Sequence, residues 1–184
     1  MTEYFYELRI PKDRIAVLIG KGGQIKIDIE LETKTKIDVD SKEGDVSISG
    51  EDALGLYSCR EVIRAIGRGF NPDIALLLLK SDYCLELIDL KEYVSKSKEA
   101  LLRIKGRIIG AEGKTRRLIE ELTESHICVY GKTIGIIGLP ESSSTAREAI
   151  EKLLKGSPHS TAYKFLEKKR RDMRRARLMG KDLE

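Results

Sequence analysis

Apolar and polar positions alternate from the first residues. Tyr4, Tyr6, Leu8 and Ile10 interleave with Phe5, Glu7 and Arg9, the period of a strand, and Pro11 ends it. The period then lengthens. Asp13 is placed to cap a short helix that runs through Ile19 and stops at Gly20. A second helix is predicted from Gly23 to Thr33, with Ile25 above Ile29 and Ile27 above Leu31, each pair on one wall. Ile37 and Val39 alternate as a strand, and Val46 and Ile48 form another after the Lys42-Glu43-Gly44-Asp45 turn. Leu56, Cys59, Ile63 and Ile66 fall at helical spacing and close the unit. The order is β-α-α-β-β-α.

A connecting helix is predicted next, with Asn71 as N-cap and Pro72 as its first residue. Its run Ala75 to Leu79 is apolar all round and is expected to be buried between two units. The same succession then returns. Tyr83 to Leu90 reads as a strand, Ser97 caps a helix through Ile109, and a helix spans Lys114 to Thr123 with Leu118, Ile119 and Leu122 on one face. Strands follow near His126–Tyr130 and Thr133–Ile137. A helix then places Ala146, Ala149, Ile150 and Leu153 on one face. After Ser157-Pro158 a final helix is expected from about Ser160 or Thr161, with a broken apolar stripe of Ala162, Leu166, Met173 and Ala176.

The recurrence extends to single residues. Leu18–Val39 and Ile108–Val129 align without a gap at an offset of 90 positions. Gly20 pairs with Gly110, Gly23 with Gly113, Ile29 with Ile119, Glu30 with Glu120, Thr33 with Thr123, Ile37 with Ile127 and Val39 with Val129. Each copy carries Gly-x-x-Gly at a helix start. Glycines there let the backbone turn sharply and approach a ligand with no Cβ in the way. The first N–H groups of the following helix lack intrahelical partners and favour an anion. A repeated loop of this kind suits an extended polyanion held twice, and with its apolar lead-in, amphipathic helix and β-β-α finish it points to nucleic acid.

The pattern resembles the KH domain, in its eukaryotic-type (type I) topology. YCLELIDLKEYV, KGRIIGAEGKTRRLIEELT, VYGKTIGIIG and GSPHSTAYKFLEKKRR are similar to the archaeal two-KH proteins related to the small-subunit assembly factor called partner of Nob. The resemblance covers about Tyr4 to Arg171. It implies an α+β, two-layer fold of two tandem KH type I domains packed together, at 1–80 and 81–157, plus a basic C-terminal helix at 158–184. It implies binding to small-subunit ribosomal RNA or its precursor near the 3′ end, during maturation, with the Nob-type endonuclease and the assembling subunit as partners and no cofactor. In such domains bases lie in a groove floored by apolar residues. Ile15, Ile19, Ile25 and Val39 correspond to it in the first unit, and Arg107, Ile109, Thr115, Arg116 and Val129 in the second.

The loops differ in charge. Gly20-Lys21-Gly22-Gly23 offers a lysine to phosphate, whereas Gly110-Ala111-Glu112-Gly113 carries a carboxylate. Lys114, Arg116 and Arg117, with Lys105 and Arg107, compensate, leaving Lys105–Arg117 at net +4. The overall charge of +4 is concentrated in the tail. Residues 164–184 hold nine Lys or Arg against four Asp or Glu, and the remainder is −1. Lys168, Lys169, Arg170 and Arg171, with Arg174, Arg175 and Arg177, are expected to form a polyanion-binding arm. His159 before this helix is expected either to contact RNA or to cap locally; His126 is expected only to pack. The absence of Trp, and 5% aromatics, disfavour binders that stack bases on aromatic rings.

The remaining composition narrows the classes. A length of 184 residues with 41% hydrophobic content allows two cores. No apolar run is long enough to span a membrane, and the N-terminus lacks signal-peptide features, so a cytoplasmic location is expected. Cys59, Cys84 and Cys128 are far apart in apolar runs and read as reduced core residues. Gly113-Lys114-Thr115 suggests a nucleotide-binding loop, but that motif needs glycine where Ile108 stands. Glu30, Glu32, Asp38 and Asp40 read as exposed faces rather than a metal-dependent nuclease site. Three readings stand: a non-catalytic ribosomal RNA factor, a general two-KH RNA-binding regulator, and an RNA-processing enzyme or NTPase.

Overall fold

The computed structural model describes residues 4–94 and 97–181. The chain divides into two compact units, the first ending at Leu85 and the second beginning at Glu86.

The first unit runs β1 (Tyr4–Arg9), α1 (Lys12–Ile19), a 3₁₀ turn at Lys21–Gly23, α2 (Gln24–Thr33), β2 (Thr35–Val39), β3 (Asp45–Gly50) and α3 (Ala53–Gly67). Its antiparallel sheet has the order β1-β3-β2, with Leu8 opposite Val46 and Ile37 opposite Ile48. Alternation sorts β2 cleanly: Thr35 and Ile37 are buried, Lys36 and Asp38 exposed. The buried side chains of the sheet join Leu18, Ile29, Ile63 and Ile66 of the helices in one core. Asp52 caps α3 by accepting from the N–H groups of Leu54 and Gly55.

Two local expectations change. Asp13 is not the cap of α1. Pro11 holds the N-cap position with φ −56° and ψ 139°, and its carbonyl accepts from Arg14 N–H at 2.9 Å, so the helix starts at Lys12 and Asp13 falls in its first turn. The two apolar pairs of α2 also part. Ile29 is fully buried and Ile25 half-buried, while Ile27 and Leu31 are 44% and 72% exposed. Positions two apart on a helix point to opposite sides, so only one pair faces the core.

Asn71 caps the next segment through a 3.1 Å bond from Asp73 N–H. One turn of α4 (Pro72–Ala75) tightens into a 3₁₀ turn over Leu76–Leu79, two short pieces in place of one helix. Ala75 and Leu78 are buried, and the segment packs against α3.

The second unit repeats the order: β4 (Cys84–Asp89), α5 (Lys98–Ile109), a 3₁₀ turn at Ala111–Gly113, α6 (Lys114–Thr123), β5 (His126–Tyr130), β6 (Thr133–Gly138) and α7 (Pro140–Leu154). The sheet order is β4-β6-β5, with Ile127 opposite Ile136. Ser97 caps α5 through Ala100 N–H. Arg147 ties α7 to β4 by its bond to Glu86 at 3.1 Å and pairs with Glu151 of its own helix at 2.9 Å. These bonds, that to Glu86 foremost, raise the guanidinium further above its usual range. After α7 the chain returns as α8 (His159–Lys181), which packs on α6 and α7. Ala162 and Leu166 are fully buried in the second core, beside Ala149 and Leu153, whereas Met173 is half-buried and Ala176 exposed. The first two positions of the broken stripe therefore dock the helix, and its basic half lies on the surface.

Candidate nucleic-acid interface

The two Gly-x-x-Gly loops have nearly the same backbone. Gly20 and Gly110 adopt φ 75° with ψ 177° and 174°, and Gly23 and Gly113 follow at φ 79° and 74°. A Cβ on Gly20 would sit 2.4 Å from Ile25 Cγ1, and one on Gly110 would sit 2.3 Å from Thr115 Oγ1. The first glycine is therefore fixed twice, by φ and by the helix that it touches. The loop tip is open in both units: Lys21 and Gly22, and Ala111 and Glu112, are exposed, as is Lys114. As the first residues of a helical turn, the tip residues present N–H groups with no partner within the turn. Ile19 and Ile109 lie half-buried just before them.

A strand edge runs beside each loop helix. Glu30 Oε1 accepts from Ile37 N–H at 2.7 Å, and Glu120 Oε1 accepts from Ile127 N–H, also at 2.7 Å. Lys26 and Arg116 pair with these carboxylates at 3.8 and 3.6 Å, and Arg116 also donates to the Ile127 carbonyl. Both strands are sheet edges, so Ile37 and Ile127 point their backbone groups outward. By alternation Val39 and Val129 do the same one pleat further on, and both side chains are half-buried. Each unit thus has a groove walled by the loop helix and by an edge strand. Glu30 belongs to this wall and is not an exposed acid; Glu32, Asp38 and Asp40 are exposed. Below the wall, Thr33 and Thr123 each bond a helix carbonyl at 2.7 Å, and reach Thr35 and Ser125. Ile15, expected in the groove floor, is buried in the core at 4% exposure.

In the second unit the expected contact residues fall on two sides of α6. Arg116 faces the edge strand. Thr115 is buried on the other side, where its hydroxyl meets Tyr163 of α8 at 3.0 Å. Arg107 is also turned that way. It donates to the carbonyls of Leu153, at 3.0 Å, and Ser157, and its own carbonyl bonds His159 Nε2 at 2.9 Å. Arg107 and His159 so form a clasp between the end of α5 and the α7–α8 turn. Arg117 bends back to the loop and donates to the Glu112 carbonyl at 2.6 Å.

α8 runs alongside α6 in the same direction, from Tyr163 at Thr115 to Arg177, whose guanidinium lies 3.7 Å from Glu124. Phe165 anchors it beneath the ammonium groups of Lys152 and Lys169, at 4.9 and 5.9 Å from the ring centre. Lys168, Lys169, Arg171, Arg174 and Arg175 are exposed, and Arg170 is half-buried. Charge divides between the units. Residues 1–85 hold twelve Lys or Arg against fifteen Asp or Glu, net −3; residues 86–184 hold twenty-two against fifteen, net +7. The cysteines lie apart. Cys59 is fully buried, and burial pushes its thiol up from the usual range.

Comparison with known proteins matches both units. A KH-domain model matches residues 5–65, and the eukaryotic-type (type I) KH model of the second PNO1 domain matches residues 84–171. A KH domain-containing protein of Methanocaldococcus jannaschii is 49% identical over 174 residues, covering 92% of this chain and 76% of that protein. The pre-rRNA-processing protein PNO1 of Coccidioides immitis is 34% identical over 113 residues, 61% of this chain; the match spans 44% of that longer protein. Among solved structures, a chain of the a/eIF2alpha–aDim2p–rRNA complex from Pyrococcus horikoshii OT3 superposes with a TM-score of 0.87 at 47% identity, covering 92% of this chain and 96% of that one. With a KH domain in each half, the second of PNO1 type, the chain belongs to the family of two-KH-domain proteins that includes PNO1.

Proposed function

We propose that this protein binds single-stranded RNA of the small ribosomal subunit or its precursor, near the 3′ end, and serves subunit maturation without catalysing a reaction. The observation that carries this reading is the pair of grooves, each with an open Gly-x-x-Gly tip beside an edge strand that turns the backbone of Val39 or Val129 outward. The tip takes phosphate and the strand edge takes bases. The names of relatives, a pre-rRNA-processing protein and a chain crystallised with rRNA, support the ribosomal assignment.

In the second unit the loop, Lys114, Arg116 and the Val129 edge form one contact surface. The exposed cations of α8 form another across α6, running from beyond Tyr163 toward Glu124. The clasp of Arg107 and His159 holds the two surfaces in register. The first unit, net −3, contributes through its loop and Lys21.

Fluorescence anisotropy tests the reading. A labelled 3′-terminal small-subunit rRNA segment should bind at least about tenfold tighter than an unrelated strand of equal length at equal salt, a difference of about 1.4 kcal/mol. Equal affinities would leave a general RNA-binding regulator. ATP turnover, or RNA cleavage abolished by Lys114→Ala, would establish an enzyme instead.

A further inference from the structure

The two loops share a backbone yet differ at a coupled pair of positions. The first has Gly22 at φ 62° and Ile27. The second has Glu112 at φ 52° and Arg117. Left-handed backbone is costly for any residue with a Cβ, and a residue kept there calls for a reason. Lys34 and Glu124, the two other such residues among those described, have one. Each ends its loop helix by donating its N–H to the Glu30 or Glu120 carbonyl, at matching places in both units. Glu112 ends no such helix, and its counterpart is a glycine.

Arg117 holds Glu112 in place by donating to its carbonyl at 2.6 Å. It lies close over the loop, with Nε 4.0 Å from where a Cβ on Gly113 would be. Ile27 Cδ1 occupies the same spot over Gly23, also at 4.0 Å, and has no donor to offer. The glutamate and its arginine clamp thus occur together, and glycine and isoleucine occur together. The pair keeps a carboxylate at the loop tip in a conformation that glycine adopts freely. Glu112 is exposed, and no ion pair to its carboxylate forms among the described residues.

We propose that Glu112 is an attenuator, a fixed negative charge at the phosphate-approach point that lowers the affinity of the second unit for any RNA backbone. A unit of net +7 carrying a cationic helix attracts every polyanion, and the loop tip is where backbone comes closest. A carboxylate there weakens indiscriminate binding and speeds release. Like charges about 6 Å apart in water repel by enough to change affinity about threefold, and salt screens the effect.

The inference rests on the RNA-binding reading, and the experiment separates the two. Glu112→Gln and Glu112→Gly are made in the full chain. Anisotropy is measured with the 3′ rRNA segment and with oligouridine of equal length, from about 50 mM to about 500 mM salt. Glu112→Gln should tighten both RNAs about threefold at low salt, with the gain vanishing at high salt. Glu112→Gly should tighten them at least as much. Weaker binding by Glu112→Gln would overturn the proposal, because the carboxylate would then be a favourable contact. Tightening by Glu112→Gly alone would also overturn it, because relieved backbone strain rather than charge would be responsible. Wild-type protein that binds neither RNA would overturn the RNA-binding reading as well as this inference.

Discussion

Removing the carboxylates of Glu30 and Glu120 tests whether the grooves are walled as described. Each accepts a 2.7 Å bond from an edge-strand N–H, and each side chain is 23% or 21% exposed. A hydrogen bond to a charged group contributes about 1.5–3 kcal/mol, and partial exposure places these at the lower end, since water replaces part of the bond. Glu30→Ala and Glu120→Ala should therefore each release about 1.5 kcal/mol of local protection, roughly a tenfold faster exchange of one amide. The assay is amide hydrogen exchange by NMR, read at Ile37 and Ile127. Because the two geometries match, the two accelerations should match within about a factor of two, an energy difference of about 0.4 kcal/mol. The Gln variants keep an acceptor and should accelerate exchange less. Unchanged rates at these amides, or an equal acceleration of every amide in the unit, would refute the reasoning: the first would mean that the glutamates do not hold the strand edge, the second that they act only on overall stability.

Gly110→Ala places a Cβ 2.3 Å from Thr115 Oγ1 at φ 75° and should cost about 3 kcal/mol or more. Gly22→Ala meets nothing within 4 Å, so its cost is limited to roughly the 1–2 kcal/mol of the left-handed backbone; thermal denaturation ranks the two. Leu166→Ala removes the larger of the two buried anchors of α8 and should cost about 2–5 kcal/mol, seen as early tryptic cleavage in the basic stretch. Neutralising Arg170, Arg171, Arg174 and Arg175 should flatten the salt dependence of RNA affinity, by about 0.7 in logarithmic slope for each phosphate no longer neutralised, and an unchanged slope would mean that the tail touches none. In native protein Cys59 should react with a thiol reagent only after unfolding, since it is fully buried and its thiol is held protonated above the usual range.

Most element boundaries were legible because strand alternation and helix period are local. The loop glycines were legible because the turn needs φ values that only they adopt freely. What escaped was tertiary. Glu30 and Glu120 stand at matching places in the two copies, a sign of shared structure, yet an acid facing a strand amide seven residues on cannot be told from a solvated one without the fold. Arg107 and His159 sit beside the loop in sequence terms. Their partners at Leu153 and Ser157, and at Arg107 itself, lie 46 to 52 positions away. The Asp13 cap failed for a local reason, since a proline two residues earlier takes the N-cap backbone for itself.

The docked half of α8 has a practical consequence for anyone who handles the two modules separately. A cut after α7, where the β-α-α-β-β-α pattern is formally complete, would bare Leu153 and Ala149 and strip Thr115 of its tyrosine. An autonomous second module should therefore extend past Leu166; the cationic stretch beyond it lies mostly on the surface and meets the module again at Glu124. The first module likewise continues past its repeat, through 72–79, which packs on α3. Duplicated folds of this kind are best divided by what shields each helix layer, not by where the repeat stops.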